Sequence, residues 1–170
     1  MNGEVTVAAY VGLGSNQDRP IHHVRTAIAE LAALPATRVR IASRLYRSAP
    51  MGPPDQPDYI NAVVELDTGL TSEALLAELQ ALEIRHGRVR GALRWGPRSL
   101  DLDLLLYGDA VIDTADLQVP HPGVPERLFV LYPLADIAPD LEVPGYGQVS
   151  RLLANCAPAR IEVLGESADE

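Results

Sequence analysis

Hydrophobic positions recur along the chain in two periods, and the changes between them mark out its elements. Val5–Leu13 is an apolar, β-prone run that ends at the turn signal Gly14-Ser15-Asn16. Ile21, Val24, Ile28 and Leu31 then follow helical spacing, with Asp18 placed to cap the helix and Pro35 beyond its end. From Val39 the period drops to two. Val39, Ile41, Ser43 and Leu45 share one face and Arg38, Arg40, Ala42 and Arg44 the other, which predicts a strand. Residues 48–58 carry four prolines and are excluded from regular structure. Tyr59–Leu66 reads as the next strand, with Tyr59 and Asn61 on one face. Thr71 or Ser72 caps a helix through Leu75, Leu76, Leu79 and Leu82 that ends at Gly87.

An Arg-rich loop runs to Arg98 and gives way to a strand over Ser99–Tyr107. A helix over Glu126–Ala135, a shorter one over Val149–Asn155 and an edge strand at Ile161–Leu164 complete the pattern. Glu166–Glu170 reads as a frayed acidic tail. The order β-α-β-β-α-β predicts an α+β protein with a ferredoxin-like antiparallel sheet. Helices pack on it in a three-layer α-β-α sandwich around a split βαβ core. No repeat or long linker divides the chain, so residues 1–165 form one expected domain and 166–170 its tail.

The strand over Ser99–Tyr107 carries the clearest chemical signal. Alternation sends Leu100, Leu102, Leu104 and Leu106 to one face and Asp101 and Asp103 to the other. Two carboxylates side by side repel unless a cation sits between them. Hard oxygen ligands on one rigid element suit Mg²⁺, which completes its shell with water and substrate phosphates. A solvated strand face is the competing reading, although aspartate is depleted in strands.

Composition changes this picture in two ways. The chain has 23 acidic and 14 basic residues, a net charge of −9, and a pI near 4.8. That balance argues against wrapping duplex DNA or docking on anionic membranes. All 14 basic residues are arginine, so a Walker A loop and lysine Schiff-base or pyridoxal phosphate chemistry are excluded. Phosphate must then be held by arginine, metal and backbone amides. Five of those arginines, Arg85, Arg88, Arg90, Arg94 and Arg98, fall in residues 85–98 without one acidic residue. Beside the aspartate pair, this describes a site for a metal-bound polyphosphate, with a loop able to close and absorb developing charge.

The remaining candidates are less specific. Trp95, inside the polar loop, suits either stacking on a flat ligand or anchoring the loop to the domain. His22 and His23 read as surface residues. Prolines on both sides fix His121, which stands equally as a functional or a structural residue. The single cysteine, Cys156, allows no internal disulfide and reads as a structural thiol. No apolar run spans a bilayer and Met1–Val7 lacks a signal-peptide layout, so the expected setting is cytoplasmic.

These motifs converge on a family. Arg94–Leu105 resembles the signature of the 6-hydroxymethyl-7,8-dihydropterin pyrophosphokinases: a basic residue, Gly-Pro-Arg, then Asp-hydrophobic-Asp. Leu13-Gly14-Ser15-Asn16, Tyr46-Arg47-Ser48, Gly52-Pro53 and Asp55-Gln56-Pro57-Asp58-Tyr59-Ile60-Asn61 resemble further blocks in the family's order. So do Gly87-Arg88-Val89-Arg90, Val119-Pro120-His121-Pro122 and Arg127-Leu128-Phe129-Val130-Leu131. The resemblance covers about Val7 to Leu153.

It implies a folate-pathway enzyme that transfers pyrophosphate from ATP to the pterin hydroxymethyl group and releases AMP. Two Mg²⁺ ions are implied at Asp101 and Asp103, with Arg88, Arg94 and Arg98 joining these aspartates in catalysis. The implied pterin contacts are Ser48, Ala49, Met51, Tyr59 and Asn61, with Trp95 and Phe129 sandwiching the ring. The implied ATP contacts are Gln80, Glu83, Arg88, Arg90, Arg98, His121 and Arg127, with Arg94 in the closing loop. Gln80 and Glu83 lie three apart on the helix face carrying Leu76, so one cleft could receive both.

Some relatives have Lys at the positions of Gly91 and Pro125 and Tyr at Pro122, while Ala49 stands where many have Pro. These departures bear on ATP affinity and the pterin loop and leave the aspartate pair intact. ATP and the pterin are the expected partners of a monomer that binds neither nucleic acid nor membrane. A non-catalytic binding module would not require the aspartate pair, and a small RNA-binding domain would require aromatics on a basic sheet face.

Overall fold

A computed structural model describes residues 5–52, 54–87 and 99–170. Arg88, Arg90, Gly91, Arg94, Trp95 and Arg98 therefore lie outside the described residues. The elements are β1 (Val7–Ser15), α1 (Pro20–Ala32), β2 (Thr37–Ala42), β3 (Tyr46–Ser48), β4 (Tyr59–Thr68) and α2 (Ser72–Arg85). They continue with β5 (Asp101–Tyr107), β6 (Ile112–Asp113), β7 (Gln118–Val119) and α3 (Leu128–Ile137). The chain closes with β8 (Glu142–Val143), β9 (Gly147–Gln148), α4 (Val149–Asn155) and β10 (Ile161–Val163).

Six strands form an antiparallel sheet in the order β10-β3-β4-β1-β5, with β2 also pairing β4. Side chains alternate across it, so each strand feeds two cores. Ala9, Val11, Leu13, Ile60, Ala62, Val64 and Leu66 meet Ile21, Val24, Ala27 and Leu31 of α1 and Leu75, Leu79 and Leu82 of α2. On the opposite face, Tyr10, Val63, Leu105 and Leu106 meet Val130, Leu131 and Leu134 of α3 and Val149 of α4. Helices thus cover both faces, and the end of the second face left uncovered is where the candidate site lies.

Several expectations need correction. β1 does not stop at Gly14 but runs to Ser15, because Gly14 and Ser15 continue the ladder opposite Asn61 and Ile60. Asp18 does not cap α1. Pro20 opens the helix, its missing N–H needs no partner, and Arg19 occupies the capping position in a left-handed conformation. The strand expected from Val39 through Leu45 is two strands. β2 takes the distal half of β4 and β3 the proximal half, while Ser43 between them exchanges hydrogen bonds with the Val63 backbone.

Within β2 the pairing shifts between Val39 and Ile41, so Val39 faces Leu66 but Ile41 faces Glu65 and is 42% exposed. A matching shift at Leu105 sends Leu106 to the second core, away from Leu100, Leu102 and Leu104. In both strands one extra residue flips everything beyond it to the other face. α3 starts at Leu128 rather than Glu126 and continues to Ile137 through Pro133.

The C-terminal tail makes hydrogen bonds with α1. Arg25 of α1 donates to the carbonyls of Glu166 and Ala168 (2.9 and 2.6 Å), and the His22 N–H donates to Glu170 (2.7 Å). Among the described residues no helix is long and apolar enough to cross a membrane.

His23 departs from its expected surface setting. Its Nδ1 lies 2.6 Å from Nδ1 of His86, the residue that ends α2, and His86 Nε2 lies 2.5 Å from Glu30 Oε1. The facing nitrogens share one hydrogen, so the pair closes only when at least one ring is neutral. Burial, and then the neighbouring His86 and His22, lower the His23 pKa below its usual 6.5. The unfolded chain therefore takes up more protons at this residue than the folded one. Its contribution is complete above pH 6.5 and declines as pH falls toward the lower folded value. His23→Gln is expected to flatten the dependence of the urea midpoint on pH below that point; an unchanged slope contradicts this.

Candidate active site

Among the described residues β5 is an edge of the sheet, bonded to β1 alone of the strands, so its outward N–H groups need other partners. Glu83 of α2 meets this need: the Leu102 N–H donates to Glu83 Oε2 at 2.8 Å, and Glu83 is only 7% exposed. The contact fixes the strand between Asp101 and Asp103, whose side chains emerge on the second face, half-buried and exposed respectively. Directly across on β1 stand Gly14, opposite Asp101, and Gly12, opposite Asp103. A Cβ on Gly14 would sit 3.6 Å from Asn61 Oδ1 and from the Tyr59 ring, in space the glycine leaves open.

Two cavities meet at Asp103. The first is lined by Gly12, Gly14, Ser48, Ala49, Met51, Tyr59, Asn61, Asp101, Asp103, Arg127 and Phe129, among others. Strand alternation brings Ser48, Tyr59 and Asn61 to one face: Ser48 pairs with Tyr59 across β3–β4, and Tyr46 pairs with Asn61. Ser48 is 5% and Asn61 3% exposed, and Asn61 Nδ2 donates to Ser48 Oγ at 2.7 Å. The result is an apolar slot with hydrogen-bonding groups at one end. Asn16 at the end of β1 ties down the proline-rich segment along its rim, donating to Gln56 Oε1 (2.9 Å) and the Pro57 carbonyl (3.0 Å).

The second cavity is lined by Leu76, Asp103, Thr114, Asp116, Gln118, His121 and Pro122, among others. Asp103 thus borders both. His121 is held from both sides: its N–H donates to the Leu105 carbonyl at the β5 bulge (2.9 Å), and Nδ1 accepts from the Gly123 N–H (3.0 Å). Burial lowers its pKa against the pull of Asp103, so the ring is neutral with its proton on Nε2. Arg127 precedes α3 with its guanidinium 5.8 Å from the Phe129 ring centre. A Cβ on Gly123 would come 2.5 Å from Arg127 Nε, so a larger residue there would shift that side chain.

Of the residues singled out from sequence, Ser48, Ala49, Met51, Tyr59, Asn61, Asp101, Asp103, Arg127 and Phe129 share the first cavity and His121 lies in the second. Gln80 and Glu83 are not brought together: Gln80 is exposed, Glu83 is buried against β5, and neither lines either of these two cavities. Gly12 and Gly14 escaped notice as site residues. Their signal was present, since two glycines alternating within an apolar strand leave one face bare. The donor set suits a hard cation. Two carboxylates face the same cleft, and no group of three His, Cys, Asp or Glu side chains able to hold a metal occurs among the described residues. Water and ligand oxygens would have to complete the shell.

Two clefts that meet at one carboxylate of an adjacent pair, under an antiparallel sheet flanked by helices, suit a two-substrate transferase with a phosphorylated donor. Residues 10–139 match the profile of the 7,8-dihydro-6-hydroxymethylpterin-pyrophosphokinase (HPPK) family. The chain is 50% identical over 155 residues to the 2-amino-4-hydroxy-6-hydroxymethyldihydropteridine pyrophosphokinase of Pseudomonas aeruginosa, covering 91% of this chain and 95% of that protein. To the protein of the same name in Haemophilus influenzae it is 42% identical over 151 residues, covering 89% and 94%. The chain belongs to the HPPK family. Its fold matches that of Plasmodium falciparum HPPK-DHPS with a TM-score of 0.70 at 13% identity, covering 91% of this chain and 43% of that one.

Proposed function

We infer that this chain transfers the pyrophosphoryl group of ATP to the hydroxymethyl oxygen of 6-hydroxymethyl-7,8-dihydropterin, releasing AMP, in folate biosynthesis. One bond forms, from that oxygen to the β-phosphorus, and the bond from the β-phosphorus to the α,β-bridging oxygen breaks. The observation that carries the reading is the position of Asp103 on the boundary of both cavities, with Asp101 beside it in the first.

In this reading the pterin fills the first cavity. Its flat ring packs against Phe129 and Tyr59, and its polar edge meets Asn61 and Ser48, whose burial makes an unmatched ligand costly. Ala49 and Met51 close the slot. The nucleotide occupies the second cavity, where neutral His121 offers Nε2–H as a donor; Arg127, which lines the first cavity, is assigned to the nucleotide as well. Glu83 acts through the β5 backbone, holding the aspartates in place. Arg88, Arg90, Arg94 and Arg98 are assigned to the triphosphate, Trp95 to the second face of the pterin, and Gln80 to the nucleotide.

Asp101 and Asp103 would hold Mg²⁺, two ions in all, which supply charge neutralisation of the triphosphate when bound. The strand order supports the finer description of the sheet as a ferredoxin-like split βαβ arrangement, with β1 and β4 central. A cytoplasmic monomer forms part of the same proposal. The test is to incubate the protein with ATP, Mg²⁺ and 6-hydroxymethyl-7,8-dihydropterin and to follow AMP. Formation of AMP that depends on the pterin supports the reading; its absence refutes it.

A further inference from the structure

The width of the first cavity is set by how α3 sits over β3 and β4, and one side-chain cluster grips α3 at the end remote from the cavity. Asp136, in the last turn of α3, accepts four hydrogen bonds. Arg44 gives three, from its backbone N (3.3 Å) and Nε (3.1 Å) to Oδ2 and from Nη2 (2.8 Å) to Oδ1. Tyr46 Oη gives the fourth, to Oδ1 at 2.7 Å. The Tyr46 ring is buried, lies under the Arg44 guanidinium at 5.7 Å, and packs against Tyr132 at 6.0 Å between centres. Burial and then the adjoining Asp136 carboxylate push the Tyr46 phenol up to about 12, so it stays protonated as a donor.

This cluster is geometrically coupled to the slot at both ends. Along α3, Phe129 and Asp136 are separated by two turns and share one stripe, about 10 Å apart on the axis. Across the sheet, Tyr46 is the register partner of Asn61, and Ser48, two residues on, shares its face. The anchor and the slot therefore sit on the same two elements. Core packing by Val130, Leu131 and Leu134 holds α3 against the sheet but is tolerant of sliding, whereas a four-bond carboxylate is directional.

We propose that Asp136 is a positioning residue: gripped by Arg44 and Tyr46, it fixes α3 over β3 and so sets the gap between the Phe129 ring and the Ser48–Asn61 pair. This rests on the reading that the acceptor pterin occupies that gap. The residue touches neither substrate; it acts through the placement of Phe129. Its effect falls on pterin binding and spares the nucleotide, because the second cavity is built from β5 and residues 114–122 and not from the clamped end of α3.

The experiment measures dissociation constants for 6-hydroxymethylpterin and for a non-hydrolysable ATP analogue in the full chain and its Asp136→Asn, Tyr46→Phe and Val24→Ala variants. Val24 lies in the opposite core and serves as the purely structural control. Asp136→Asn and Tyr46→Phe are expected to weaken the pterin roughly tenfold and the ATP analogue less than about twofold. The double variant should be little worse than either single one, since both break one network. Pterin affinity within about twofold of the parent in Asp136→Asn, or equal weakening of both ligands as in a general loss of stability matched by Val24→Ala, overturns the proposal. Failure of the parent protein, or unaltered binding in Phe129→Ala, refutes the pterin reading of the cavity as well, so the two failures are told apart.

Discussion

Replacing both Asp101 and Asp103 with alanine is expected to abolish AMP formation, with a loss in turnover of at least about a thousandfold. Both carboxylates emerge from one face of an edge strand into the first cavity, and Asp103 also borders the second. The two like charges stand adjacent, and no group of three metal-ligating side chains occurs among the described residues. Either single replacement is expected to cost nearly as much as the pair, since groups that act as one unit are not additive. AMP formation is measured at saturating ATP and Mg²⁺. Retention of more than about a tenth of the parent rate in the double variant refutes the assignment.

The second large effect is expected at Asn61. Its amide is buried, donates to Ser48 Oγ, and presents the remaining polar atom toward Gly14 and the open cleft. Asn61→Ala leaves the Ser48 hydroxyl without its donor and, on the proposed reading, removes a pterin partner at the polar end of the slot. Affinity for 6-hydroxymethylpterin should fall by roughly a hundredfold while that for an ATP analogue stays within about twofold. Equilibrium binding of each ligand decides it. A pterin constant unchanged in the variant would show that the ring does not lie against β4.

How much of this was legible beforehand depends on the range of the interaction concerned. The opposed faces of Asp101 and Leu102 follow from strand alternation alone, and so does the shared face of Tyr59 and Asn61. Thr71 as the cap of α2 follows equally locally, its hydroxyl accepting from the Ala74 N–H. Where local pattern failed, a pairing partner had intervened. Ile41 and Leu106 were misplaced because a bulge is a property of two strands in register, and neither strand's own period records it.

The sequence by itself determined the helices and the longer strands that carry the site, the carboxylate pair, the arginine-only basic set and the blocks of the HPPK family. All of these reside in residues near one another along the chain. Only the tertiary structure decided that bare Gly12 and Gly14 stand across from Asp103 and Asp101, and that Asp103 borders two clefts. It also joined Tyr46 to Asp136 across 90 residues and His23 to His86 across 63. The physical reason is the same in each case. Hydrophobic period specifies which face of an element is buried, while the identity of the group opposite is set by register and helix placement, which arise only when the distant segments pack.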